Sequence, residues 1–297
     1  MRSIIALLLA SVSWPALAAL NIFACVPEWG SLAQELGGDK TSVYTATTAL
    51  QDPHRIEARP SLIARARGAD LVVCTGAELE VGWLPLVLAQ SGNPRIQAGQ
   101  PGYFEAAAVA RLIDVPARVD RSMGDVHAAG NPHLHLDPRN ISRVAKALAA
   151  RMSALNAQNA SYFIARELAF QARWREATAR WEREAEPLKG LPLVVQHKDL
   201  SYLIAWLGMR EVGTLEPKPG LPPSTAHLAG LLAALQRSPA KAVVRSAYQD
   251  PRAAEWLAQQ ASLPSVSLPY TVGGSAQATN LFGLYDDTIA RLLAVAK

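Results

Sequence analysis

Two stretches in which short β-branched runs alternate with helical patterns flank a long segment that reads as helix, and this order points the chain to a two-lobed α/β architecture. In the first stretch, apolar runs at 20–25, 41–48 and 70–75 alternate with helical patterns that begin at Glu28, Pro60 and about Val81 and stop at Gly37-Gly38, Gly68 and Ser91-Gly92. In the second, runs at 191–196, 211–215, 241–246 and 265–270 alternate with helical patterns at 200–207, 225–236 and 250–260; a loop at 271–279 and a terminal helix follow. Consecutive parallel strands need a crossover, usually a helix, so the alternation predicts two Rossmann-like lobes whose parallel sheets carry helices on both faces. No sequence repeat relates the lobes, so their likeness is one of architecture.

Between the lobes, Asp137-Pro138 opens a helical pattern that runs to about Leu155, and a second continues from Asn156 to about Leu188 without Gly or Pro before Pro187. Trp174 and Trp181 share one face of it. A single helix of about 30 residues would be about 45 Å long and would act as a rigid strut. Its apolar spacing holds no strict heptad, which argues against a coiled coil. The expected division is a signal at 1–18, an N-terminal lobe at 19–138, linking helices at 139–188 and a C-terminal lobe at 189–297.

The start of the chain sets the compartment. Arg2 precedes an apolar run at 4–12, and Ala16-Leu17-Ala18 is a small-x-small cleavage site, the pattern of a secretory signal peptide. The run is well short of the roughly 20 residues that span a bilayer, so a soluble, exported, periplasmic chain is expected. Cys25 lacks the usual lipid-attachment context, since Asn21-Ile22-Phe23-Ala24 precedes it. The formal charge of +4 is mild, and the 29 basic residues are scattered among 25 acidic ones, so no nucleic-acid partner is expected. Cys25 and Cys74, near the ends of two strands, read either as a disulfide in an oxidising compartment or as two separate buried thiols.

In open α/β sheets ligands bind beyond the carboxyl ends of the strands. Three of the six histidines lie in such loops: His54 after the second strand, His133 before the linking helices and His197 at the end of the first strand of the second lobe. Neutral imidazole is the commonest protein ligand for zinc, and three such ligands leave one tetrahedral position open.

The surrounding residues carry a family likeness. Asp52-Pro53-His54-Arg55-Ile56-Glu57, followed by Pro60, resembles the first metal loop of the zinc- and manganese-binding proteins of ABC importers. Asn131-Pro132-His133-Leu134-His135-Leu136-Asp137-Pro138 and Val195-Gln196-His197-Lys198-Asp199-Leu200-Ser201-Tyr202 resemble the second and third. The resemblance, to the cluster A-I solute-binding family of zinc type, covers nearly the whole mature chain. It implies two lobes joined by a rigid helix, with His54, His133 and His197 holding a transported Zn2+ in the cleft. Its implied partners are the importer's permease and a periplasmic zinc metallochaperone, and the chain would act as a monomer.

The pattern departs from the family at the fourth ligand. Tyr270-Thr271-Val272-Gly273 stands where an aspartate is often found, so water or a side chain of a mobile loop is expected there. All-imidazole ligation favours zinc over Mn2+, while copper(II) or nickel would bind as tightly in vitro. His127, in a Gly-containing loop, is read as solvent-exposed or as a cap on the site; His135 as packing or as support for a ligand; and His227 as structural. Glu57 and Asp137 are read either as acceptors of the imidazole N–H groups of His54 and His133, or as an arginine partner and a helix N-cap. Asp286 and Asp287 read as surface charges.

Two other functions remain to weigh. A zinc hydrolase would use the open position to activate water, but no His-Glu-x-x-His helix or Gly-x-Ser-x-Gly elbow supplies a base. A surface adhesin of the same fold is the other.

Overall fold

The computed structural model describes residues 19–120 and 123–296. The expected signal segment and its cleavage site lie outside these residues.

The first lobe is built from β1 (Leu20–Ala24), α1 (Pro27–Gly37), β2 (Thr41–Thr45), α2 (Pro60–Arg67), β3 (Leu71–Cys74), α3 (Leu84–Ser91) and β4 (Tyr103–Glu105). Its sheet has the order β2-β1-β3-β4 with every pair parallel. Helices α4 (Pro138–Leu155) and α5 (Ala160–Glu184) follow. The second lobe consists of β5 (Pro192–Val195), α6 (Ser201–Leu207), β6 (Arg210–Thr214), α7 (Thr225–Leu235), β7 (Ala242–Ser246), α8 (Arg252–Ala261), β8 (Ser265–Leu268) and α9 (Leu281–Val295). Its sheet repeats the arrangement as β6-β5-β7-β8, again wholly parallel.

Side chains on the strands alternate between two apolar layers, as the period of two requires. Leu20, Ile22, Ala24, Leu71 and Val73 face a central core, while Phe23, Cys25, Val72 and Cys74 face an outer cluster under α2 and α3. In the second lobe Leu193 and Val195 face the central core and Val194 the outer cluster under α7 and α8. The central core is continuous through both lobes, joined by Phe163, Phe170, Trp174 and Trp181 of α5 and by Leu281, Tyr285 and Ile289 of α9.

Two expectations change. The two linking helices meet at a 3-10 turn at Ala157–Asn159, where the sequence divides them, but the second, α5, has 25 residues, about 37 Å, rather than about 30. Asn156 and Asn159 cause the break: Asn159 Nδ2 donates to Asn156 Oδ1 at 3.2 Å, the local bonding by which asparagine favours turns over helix. Strand β4, only three residues long, has no extended apolar run to announce it. Its entry depends on Gly102, where a Cβ would stand 2.5 Å from the Arg95 carbonyl oxygen and 2.7 Å from that of Asp70.

Cys25 and Cys74 are joined in a disulfide that ties the ends of neighbouring strands β1 and β3, with Cα atoms 4.8 Å apart. Among the described residues no helix is long and apolar enough to cross a membrane.

Candidate metal centre

Two of the three histidine loops share one local design. In Asp52-Pro53-His54 the Asp52 Oδ1 accepts the His54 backbone N–H at 3.0 Å, and in Asn131-Pro132-His133 the Asn131 Oδ1 accepts the His133 N–H at 3.0 Å. Asp and Asn make such turns because their short side chains reach their own backbone two residues on. The first loop is fixed from below by Trp83, whose indole N–H donates to the Pro53 carbonyl at 3.0 Å. The second is gripped by the opposite lobe: Tyr202 O–H donates to the Asn131 carbonyl at 2.7 Å, and Tyr285 O–H to the His135 carbonyl at 2.6 Å. His197 needs no special turn, because it continues β5 in extended conformation into the cleft.

The structure brings the three histidines together. One ring nitrogen from each of His54, His133 and His197 lies within 4.8 Å of the others, and the ring centroids are 5.4 to 6.0 Å apart. Nitrogens at 2.0 to 2.1 Å from a tetrahedral ion would sit about 3.4 Å apart, so a small contraction suffices. In each ring Nδ1 already has a partner: Asp52 Oδ1 at 2.8 Å for His54, Tyr270 Oη at 2.7 Å for His133 and Glu216 Oε2 at 2.7 Å for His197. With Nδ1–H donating, each Nε2 is left as a lone pair, the tautomer a metal needs. Nε2 of His54 is buried with no hydrogen-bond partner. This is a donor set that fits a borderline-soft divalent ion.

The environments of the rings differ. Burial, followed by the nearby imidazoles of His54 and His197, holds His133 well below the ordinary histidine range. Burial also pushes His197 down, but the Glu216 and Asp199 carboxylates outweigh it and its pKa is raised. Asp199 lies beneath the loop, its Oδ2 accepting from Ser246 at 2.6 Å and Gln249 at 3.0 Å. Asp52 is lowered: burial opposes its charge, but the bond to His54 prevails.

Neither Glu57 nor Asp137 supports a ring; of the two readings of Asp137, the helix N-cap holds. Asp52 serves His54 in place of Glu57, and Tyr270 serves His133 in place of Asp137. Asp137 instead caps α4, accepting the Arg139 N–H at 2.8 Å, and pairs with the Arg139 guanidinium. Glu216, from the loop after β6, carried no motif of its own; what could have signalled it is its place at the end of the strand beside the one that bears His197. Thr271, in the stretch Tyr270-Thr271-Val272-Gly273, donates to Glu28 Oε2 at 2.5 Å.

The remaining histidines separate clearly. His135 is fully buried and its Nε2–H donates to the Tyr270 carbonyl at 2.9 Å; its Nδ1 is 3.2 Å from Glu28 Oε1 without hydrogen-bond alignment. It supports the tyrosine that supports His133. His227 Nε2 lies 2.9 Å from the Thr214 carbonyl and is structural. His127 stacks on His54 with centroids 5.4 Å apart, and is pushed down to about 4 by burial and then by His54. A second cluster, Cys25, Cys74 and Glu80, offers no thiolate because its cysteines are bonded to each other.

The family described as "Zinc-uptake complex component A periplasmic" matches residues 22–294. The chain belongs to this family. Among solved structures it resembles a crystal structure of ZnuA at TM-score 0.76 and 20% identity, over 92% of this chain and 99% of that one. It also resembles the solute-binding protein FpvC from Pseudomonas aeruginosa in complex with Mn2+, at TM-score 0.75 and 20% identity, over 94% and 97%. The laminin-binding adhesin Lmb of Streptococcus agalactiae matches at TM-score 0.74 and 19% identity, over 94% and 98%. At these identities the likeness shows the shared two-lobe fold, whereas the family match makes the chain a metal-binding solute-binding protein. Members of the family are non-enzymatic metal carriers that work with ABC importers. The hydrolase reading therefore falls.

Proposed function

We propose that the chain captures zinc in the periplasm with His54, His133 and His197 and delivers it to the permease of an ABC importer. The observation that carries this reading is the set of three Nδ1 atoms, each engaged by a separate partner, which frees the Nε2 lone pairs of three rings that lie together, one nitrogen of each within 4.8 Å of the others. Zinc is favoured over manganese because all three donors are imidazoles; the carboxylates Asp52 and Glu216 are spent on the rings behind the ligands. The lobes 19–138 and 189–297 would present one arrangement to the permease when the ion joins His197 to the other two, since a ligand that binds one arrangement better selects it.

Competition between metals tests the choice of ion. Zinc should displace manganese at equimolar concentration and hold the site against at least a hundredfold excess, roughly the minimum that the divalent-metal affinity order leads one to expect of imidazole donors. Comparable affinities, measured by elemental analysis after dialysis, would make this a manganese carrier or a general divalent-metal carrier.

A further inference from the structure

Three neutral imidazoles leave a tetrahedral zinc one ligand short, and the stretch Tyr270-Thr271-Val272-Gly273 of the second lobe offers no carboxylate, the Thr271 hydroxyl being bound to Glu28. A candidate for the fourth position is found in the segment around His127, which lines the site. His127 lines the same cavity as His133 and His197, and its Nε2 is buried without a hydrogen-bond partner, as is that of His54. Its Nδ1 faces a carboxylate, Glu78 Oε2, at 4.0 Å. This is a looser version of the arrangement behind His54 and His197: a carboxylate on one ring nitrogen, nothing on the other.

The loop is held in place from both lobes. The Asp125 N–H donates to the Pro219 carbonyl at 2.9 Å, and Arg55 reaches the Gly220 carbonyl at 3.3 Å and the Asp125 carboxylate at 3.7 Å. Gly124 permits the approach: its φ is +80°, and a Cβ there would stand 2.3 Å from the Pro219 carbonyl oxygen. Glu78 also accepts the Ala128 N–H at 2.9 Å, so the carboxylate oxygen that holds the backbone of this segment is the one that faces the ring. It does so from a left-handed backbone, with Ala77 at φ 48° and Glu78 at φ 66°, a conformation that costs a non-glycine residue free energy and persists where surrounding contacts impose it.

We propose that His127 is the fourth metal ligand, turning from its stack on His54 to place Nε2 on the ion, and that Glu78 is the residue that positions it. His127 stands outside the three-nitrogen cluster, so coordination requires the ring to turn. The resulting site has four neutral imidazoles and no bound water. The proposal rests on the three-histidine reading above.

X-ray absorption at the zinc edge, on chain loaded with one equivalent of zinc, counts the imidazoles directly. Four in the native chain and three in His127→Ala support the proposal, as does faster zinc release to a chelator, by about 10- to 100-fold in that variant. Glu78→Gln should accelerate release while keeping four imidazoles, which a merely structural loop residue would not do. Circular dichroism of both variants checks that the fold is intact. Three imidazoles in both native chain and His127→Ala, with equal release rates, overturn the fourth ligand and leave the three-histidine site standing. Two or fewer in the native chain, or no stoichiometric zinc, would overturn the underlying reading and this one together.

Discussion

At the scale of single residues, two of the three candidate ligands hold protons with different strength. His133 is held below the ordinary histidine range and is ready for metal at neutral pH, whereas His197, raised by Glu216 and Asp199, keeps its proton to higher pH. A proton on Nε2 excludes the metal, so affinity is full above the raised pKa of His197 and falls as pH drops through it, beginning above about 6.5. Removing the charge in Glu216→Gln lowers the pKa of His197, and the acid midpoint of zinc binding should move to lower pH. The same variant should lose about 10- to 100-fold in affinity at pH 8, because the ring is no longer oriented. A pH–affinity titration of both proteins checks this; coincident profiles would mean that Glu216 does not govern His197. The histidines themselves were legible in the sequence because each lies in a short motif at a strand end. Their supports were not. Asp52 and Glu57 are both near His54 in sequence, and only the turn that folds Asp52 back onto the ring decides between them. Glu216 and Tyr270 are far from their partners in sequence, and it is the pairing of β6 with β5 and the path of the chain beyond β8 that bring them in.

At the scale of elements, the strongest constraint is the aromatic face of α5. Trp181 is fully buried, stacks on Tyr285 of α9 at 4.8 Å and donates its indole N–H to Asp286 Oδ1 at 2.6 Å. Trp174 donates to the Pro138 carbonyl at 2.8 Å, tying α5 to the start of α4. Trp181→Ala should therefore cost about 3–5 kcal/mol in urea unfolding, whereas Ile164→Ala on the exposed face should stay within about 0.5 kcal/mol. A cost near 1 kcal/mol for Trp181→Ala would show that α9 is not anchored through this helix. The strands with four or more residues were legible from β-branched runs, and the helices from their caps and glycine stops. The division of the link at Asn156 was legible, but the second helix is shorter than its pattern because the absence of Gly and Pro says nothing against a turn made by two asparagines at its start. Asp286 is exposed, as a surface charge should be, but a carboxylate on a terminal helix gives no sequence sign that an indole N–H and Arg180 meet it.

At the scale of the whole molecule, one apolar core runs through both lobes, and polar contacts cross the cleft at several points. Asn131 Nδ2 donates to the Lys198 carbonyl at 2.8 Å, Thr271 to Glu28, and Tyr285 to the carbonyl of His135. Wide hinge opening would expose that core, so metal exchange is expected to involve loops and small tilts. Small-angle scattering should give a radius of gyration near 19 Å, differing by no more than about 1 Å between metal-free and zinc-loaded forms. A compaction of several ångströms on zinc binding would contradict a core shared between the lobes.

The central claim is that one ion is held jointly by His54 and His133 from the first lobe and His197 from the second. Competitive zinc titration of the chain beside His54→Ala, His133→Ala and His197→Ala, with bound metal counted by elemental analysis, tests it most directly. A single tight site that is lost or strongly weakened in all three variants is the predicted result. Unchanged binding in any one of them would contradict the shared site and remove that histidine from it.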